Sequence, residues 1–289
     1  MRDRTDAMQS EGAAREATPS RWVRRGRQTA RRIGVALCVG LYFAASPIGY
    51  AIFAGWAAIP ARDPARRAEE LRAIVTLAFR SMHAFLRWAR IVDFDPAEHA
   101  GRIPDRPCVL VANHPTLMDI SALLAADSNL VYPVKSSLFN RFWARPLFRS
   151  AGLFEGAGQD PLRVRQMIDA ATGQLAAGRR VIIFPEGTRS PERGIHEFGR
   201  VAFEIARRAG VPIVPLVITC RPRFLGKTSG FSRPPAALPR LRIRVLEPLD
   251  PVAKPWSGSS SRTLRDIVAR QISTELERLD GSSVPDGRP

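Results

Sequence analysis

The chain has four histidines, and one of them, His114, interrupts an apolar run: Val109 to Ile120 reads "VLVANHPTLMDI". Imidazole titrates near neutrality, so it can take a proton from a hydroxyl as that oxygen attacks a carbonyl. Asp119 follows five residues later. On one continuous helix the two side chains would project about 140° apart and would not meet. They meet if His114 lies in a loop and Asp119 in the first turn of the helix that follows, where the helix dipole also favours a carboxylate. Asp119 would then accept the N–H of one ring nitrogen and leave the other as a base. Spacing alone equally allows a capping aspartate beside an unrelated loop histidine. A second turn, Pro185-Glu186-Gly187-Thr188-Arg189, follows the apolar stretch "VIIF". Glycine lets backbone N–H groups approach a ligand closely, and the arginine fork matches phosphate oxygens.

The elements around these turns alternate. "CVLVA" reads as a strand, Thr116 to Ala126 as a helix, and "NLVYPV" as a strand. "SSLFNRFWARPLFRSAG" reads as a basic helix closed by Gly152. Asp160-Pro161 is an N-cap followed by proline at the first helical position, and Gly178 supplies the stop. "VIIF" is a short, wholly apolar strand of the kind found buried in parallel sheets. "FGRVAFEIARRAG" is a helix ending at Gly210, and "VPIVPLVI" and "LRIRVLE" are strands. A last helix from Ser261 to Leu279 sets Leu264, Ile267, Val268, Ile272 and Leu276 on one side. Arg221 to Arg240 reads as a long loop. The expectation is an α/β fold: a mixed, largely parallel sheet flanked by helices. In such sheets the reactive crevice lies at the carboxyl ends of strands, so both turns should line one pocket.

The N-terminal third reads differently. Residues 1–32 form a basic tail, disordered by composition, with arginines concentrated in "RWVRRGRQTARR". No charge appears from Ile33 to Pro60. About 20 apolar residues suffice to cross a bilayer, so 33–60 is expected to be membrane-embedded, either as one span or as a hairpin turning at Ser46-Pro47. Residues 61–95 are expected to hold an amphipathic interfacial helix. A helical wheel puts Leu71, Ile74, Val75, Ala78, Met82, Phe85 and Leu86 on one face, and Arg72, Arg80, Arg87 and Arg90 on another. Residues 96–280 form the catalytic domain and 281–289 a disordered tail.

The net charge of +17 invites a nucleic-acid reading. Lysine occurs only at Lys135, Lys227 and Lys254, and arginine is spread along the whole chain, so no nucleic acid is expected as a partner. The basic surface suits anionic lipids and acidic cofactors. Cys38, Cys108 and Cys220 form no CxxC pair and read as buried reduced thiols. His83, His99 and His196 lack ligand spacing and read as bystanders, His83 on the polar side of its helix, so no metal is expected. There is no G-x-S-x-G elbow.

Taken together and in this order, "NHPTLMD", "VKSSLF", "FPEGTRS" and "VPIVPLVI" resemble the blocks of the lysophospholipid acyltransferase family, typified by 1-acylglycerol-3-phosphate acyltransferases. The resemblance runs from about Val109 to Ile218. It implies transfer of a fatty acyl group from acyl-CoA or acyl carrier protein, a co-substrate and not a bound cofactor, to the free hydroxyl of a lysophospholipid. His114 would be the general base and Asp119 its orienting partner. Asn113, Lys135, Glu186, Gly187, Thr188 and Arg189 would shape the acceptor site, with Arg189 on a phosphate. Arg163, in "LFEGAGQDPLR", is the candidate for the arginine of the second block. The acceptor is expected to be 1-acylglycerol-3-phosphate, giving phosphatidate. Membrane lipids would surround the site, at the cytoplasmic side of the cell inner membrane. A specialised glycolipid, aminolipid or polyene lipid as acceptor, and a catalytically inactive membrane-binding protein, are the competing readings.

Overall fold

A computed structural model describes residues 63–98, 102–142, 144–158, 160–227, 235 and 237–281, with scattered positions before residue 63. The expected membrane segment at 33–60 lies outside these residues apart from a few isolated positions. Among the described residues no helix is long and apolar enough to cross a membrane.

Five strands form the main sheet. They are β1 (Val109–Ala112), β2 (Leu130–Val131), β5 (Arg180–Ile183), β6 (Ile213–Arg221) and β7 (Arg240–Val245), in the order β2-β5-β1-β6-β7. All neighbours are parallel except β6 and β7. The helices are α1 (Pro64–Trp88), α2 (Asp119–Ala126), α3 (Ser136–Phe139), α4 (Arg145–Ser150), α5 (Pro161–Ala176), α6 (Val201–Ala209) and α7 (Ser261–Gly281). A side ladder pairs β3 (Pro133–Lys135) with β4 (Phe154–Gly156) in parallel.

Side chains alternate across a strand, and the two cores separate accordingly. Leu110 and Ala112 of β1, Ile182 of β5 and Val214, Leu216 and Ile218 of β6 join the face covered by α1 and α2. Val109, Val111, Val181, Ile183, Ile213 and Val217 face α5, α6 and α7. Every residue of β1 is buried, as its unbroken apolar sequence requires. Local signals fix several ends. Asp160 accepts the Leu162 N–H at 3.0 Å with Pro161 at the start of α5, and Gly210, with φ of 64°, closes α6.

Three elements depart from the sequence reading. The helix expected from Thr116 begins at Asp119, because Thr116 and Met118 are spent on the turn before it. The helix expected over "SSLFNRFWARPLFRSAG" is two short helices, since Pro146 offers no N–H and starts a new one. α1 buries part of the side expected to be polar. Arg72 and His83, assigned to its polar side, are 7% and 1% exposed, whereas Leu77 (64%) and Trp88 (79%) face outward. Polar pairing with α2 holds this side in: Arg80 Nε donates to the Ala125 carbonyl at 2.8 Å, and His83 Nε2 lies 3.1 Å from Ser121 Oγ. Ser121 already donates to the Met118 carbonyl at 2.8 Å, so His83 is the donor. Burial pushes the imidazole down to about 4, so it is neutral. His83 is thus a buried clamp between α1 and α2.

Candidate active site

β1 and β5 are adjacent and parallel, with Val111 opposite Ile183. Their chains therefore leave the sheet side by side, and the two turns meet. The His114 ring stacks on Phe184 at 4.3 Å between centroids, with 20° between planes.

His114 Nδ1 lies 2.7 Å from Asp119 Oδ2, and the same oxygen accepts the Thr116 N–H at 2.9 Å. The pair forms in the way the spacing allowed, with the histidine in the loop and the carboxylate at the first residue of α2. An ionised carboxylate only accepts hydrogen bonds, so Nδ1 carries the proton and Nε2 holds the lone pair. Asp119 is fully buried, and its Oδ1 has no partner among the described residues. Burial pushes its carboxyl up to about 6, opposed by the His114 and Thr116 hydrogen bonds and by the positive charge of Arg223. The His114 side chain is 21% exposed. Water or a hydroxyl can therefore reach the ring, while the buried Asp119 is shielded from solvent.

The surrounding residues act mainly on the backbone. Asn113 donates from Nδ2 to the Ile218 carbonyl at 2.9 Å and accepts the Ile218 N–H at 2.8 Å. It extends the β1–β6 ladder by one side-chain rung and turns the chain into His114. Glu186 accepts from the His114 N–H through Oε1 at 3.1 Å and from the His196 N–H through Oε2 at 2.7 Å. Ser190 donates its hydroxyl to Glu186, accepts the His114 N–H at 2.9 Å, and gives its own N–H to the His114 carbonyl at 2.7 Å. Glu186 and Ser190 together strap the two turns. Gly187 has φ of 62°, and a Cβ there would meet nothing within 4 Å, so the backbone conformation, not space, demands glycine. Thr188 is half-buried in the same turn.

Arg189 Nη1 donates to the carbonyls of Leu225 and Gly226 at 2.9 and 2.8 Å. The Leu225 carbonyl also accepts the Leu117 N–H at 3.1 Å. Arg223 Nη1 donates to the Ser190 carbonyl at 3.0 Å and also reaches that of Pro191. The loop after β6 thus closes over both turns. Lys135 is exposed at the end of β3, opposite Gly156, and no hydrogen bond or ion pair joins it to His114 among the described residues. Arg163 pairs with Glu155 at 3.3 Å and Asp160 at 3.5 Å. His99 falls outside the described residues. Ser190, Arg223 and Leu225 were not legible as site residues. Ser190 ends the "FPEGTRS" turn, which was its only signal; the other two come from a stretch read as an undifferentiated loop.

Because Glu186 makes three acceptor contacts, Glu186→Gln is expected to leave an N–H facing an amide donor. It should lower stability by about 1–3 kcal/mol and depress kcat without touching the His114 ring. Thermal unfolding and steady-state kinetics on one preparation check this.

A family model described as Acyltransferase matches residues 96–219, which include both turns and β6. A 1-acyl-sn-glycerol-3-phosphate acyltransferase alpha from Mus musculus is 28% identical over 78% of this chain and 80% of its own length. Over residues 96–219 the chain resembles the acyltransferase family. A chloroplastic 1-acyl-sn-glycerol-3-phosphate acyltransferase from Brassica napus is 32% identical over 60% of this chain, which spans only 47% of that relative's length. The crystal structure of the 1-acyl-sn-glycerophosphate acyltransferase PlsC from Thermotoga maritima superposes with a TM-score of 0.63 at 22% identity. The match covers 91% of this chain and all of that one, and it shows a shared fold.

Proposed function

We propose that this chain acylates the free hydroxyl of 1-acylglycerol-3-phosphate, using an acyl-CoA or acyl-carrier-protein thioester and giving phosphatidate. The observation that carries the reading is the His114–Asp119 pair, with Nε2 of His114 free to accept a proton. Nε2 takes the hydroxyl proton as the oxygen forms its bond to the thioester carbonyl carbon. The buried Asp119 carboxylate offsets the charge that appears on the ring. The tetrahedral adduct collapses, the C–S bond breaks, and the imidazolium returns its proton to the departing thiolate. Arg189 lies in the turn strapped to that of His114, and its N–H groups not engaged by the Leu225 and Gly226 carbonyls suit the acceptor phosphate. The names of the relatives support the same acceptor.

The outward face of α1 supports work at a bilayer surface, where lysolipid and product reside. Ile74 (42% exposed), Leu77, Phe85 (44%) and Trp88 form an apolar stripe there, with Arg66 and Arg90 also exposed. The deciding experiment offers purified protein in vesicles an acyl thioester and a panel of lysophosphatidate, other lysophospholipids, glycolipids and aminolipids, with products weighed by mass spectrometry. Phosphatidate is the expected product. Acylation of a different acceptor alone would overturn the assigned substrate, and acylation of none would overturn the enzyme reading.

A further inference from the structure

A cavity of about 270 Å3 opens between α4 and the first half of α5, with Phe154 and Met167 in its floor and Arg145, Arg149 and Arg163 around it. Its charges do not balance. Glu155, which also lines it, is held by Arg163 at 3.3 Å and by Asn140 Nδ2 at 2.7 Å. Among the described residues, the guanidiniums of Arg145 and Arg149 have no carboxylate partner. They sit four apart on a six-residue helix. Like charges at that spacing destabilise a helix, and one this short does not hold itself together. A bound anion would relieve both costs.

Topology places this cavity on the side of the chemistry. α5 feeds back into the start of β5, so its first turns lie level with the carboxyl end of the strands, where His114 and Glu186 also emerge. Gly156 lines the cavity and is the register partner of Lys135. The volume falls just short of the about 300–1,000 Å3 that encloses a whole ligand, so the cavity suits one end of a longer molecule. Two unpaired guanidiniums over an apolar floor suit phosphates joined to a flat ring. A coenzyme A thioester has that form, with phosphates and adenine at one end and the reacting carbonyl at the other.

We propose that this cavity receives the phosphorylated nucleotide end of a coenzyme A thioester, which makes CoA, not a carrier protein, the acyl donor. The inference rests on the acyl-transfer reading but is tested apart from it. Adenosine 3′,5′-bisphosphate should bind the full chain by calorimetry, and Arg145→Gln with Arg149→Gln should weaken that binding by about 10- to 100-fold. Binding is read without turnover, so a failed acyl-transfer assay leaves this arm intact. In turnover, the preference for acyl-CoA over the phosphate-free acyl-pantetheine should fall by a similar factor in the double variant. An equal loss with both donors would overturn the proposal, as would undiminished bisphosphate binding. Preferred use of acyl carrier protein, with its loss in the variant, would assign the arginines to a protein donor. Loss of binding to phosphatidylglycerol vesicles with donor preference intact would assign them to lipid headgroups. Either result overturns the proposal.

Discussion

His114→Ala should lower kcat by about 10²–10⁴-fold, the usual contribution of a positioned general base, with KM for the lysolipid little changed. The fold should survive. The ring is partly exposed and packs mainly on Phe184, so its loss leaves a shallow surface gap. Asp119 loses its partner on Oδ2 but keeps the Thr116 N–H. It already needs little acid to become neutral, with its carboxyl near 6. Without the imidazole it can take up a proton and avoid a buried unpaired charge, which limits the destabilisation to about 1 kcal/mol. Turnover, unfolding midpoint and vesicle sedimentation measured together check this. If the variant kept more than about a tenth of wild-type turnover, a different group would have to be the base.

What the sequence disclosed follows the range over which each residue acts. β1, β5, the start of α5 and the stop at Gly210 depend on neighbours within a few positions, and they lie where composition and caps place them. β4 was missed because three residues pair only with the equally short β3, which is distant in the chain. α1 was found as a helix, but the burial of His83 on its polar side was not, because α2 makes it through Ser121.

The site divides in the same way. His114 and Asp119 are five apart, and a turn followed by a helix start brings them together. Asn113 and Glu186 stood out correctly as members of the two turns, but their bonds reach backbone groups 105 and 72 positions away. The resemblance implied contact with substrate; in the structure their partners make them fasteners of the loop that carries the base. Arg223 and Leu225 carry no motif, and only the closure of the loop after β6 brings them to Ser190 and Arg189.

Asp119→Asn separates charge from orientation. The Thr116 N–H and the His114 Nδ1–H both point at one oxygen, so the amide should present its oxygen to them and preserve the tautomer. What disappears is the negative charge that offsets the imidazolium, and kcat should fall by at least about a hundredfold. Stability should respond with the opposite sign as pH rises. An unfolded aspartate ionises near 3.9, and burial raises Asp119 to about 6 in the folded chain. The folded state therefore holds the proton more tightly, and the stability it confers is complete below about 4 and lost as pH climbs through about 6. Asparagine has no such loss. Between pH 4 and 7 the variant should gain on the wild type by on the order of 2–3 kcal/mol, read from urea midpoints at the two ends. A stability difference that stays flat with pH would mean that Asp119 ionises in the folded chain as it does in water, and the buried dyad would lose its physical basis.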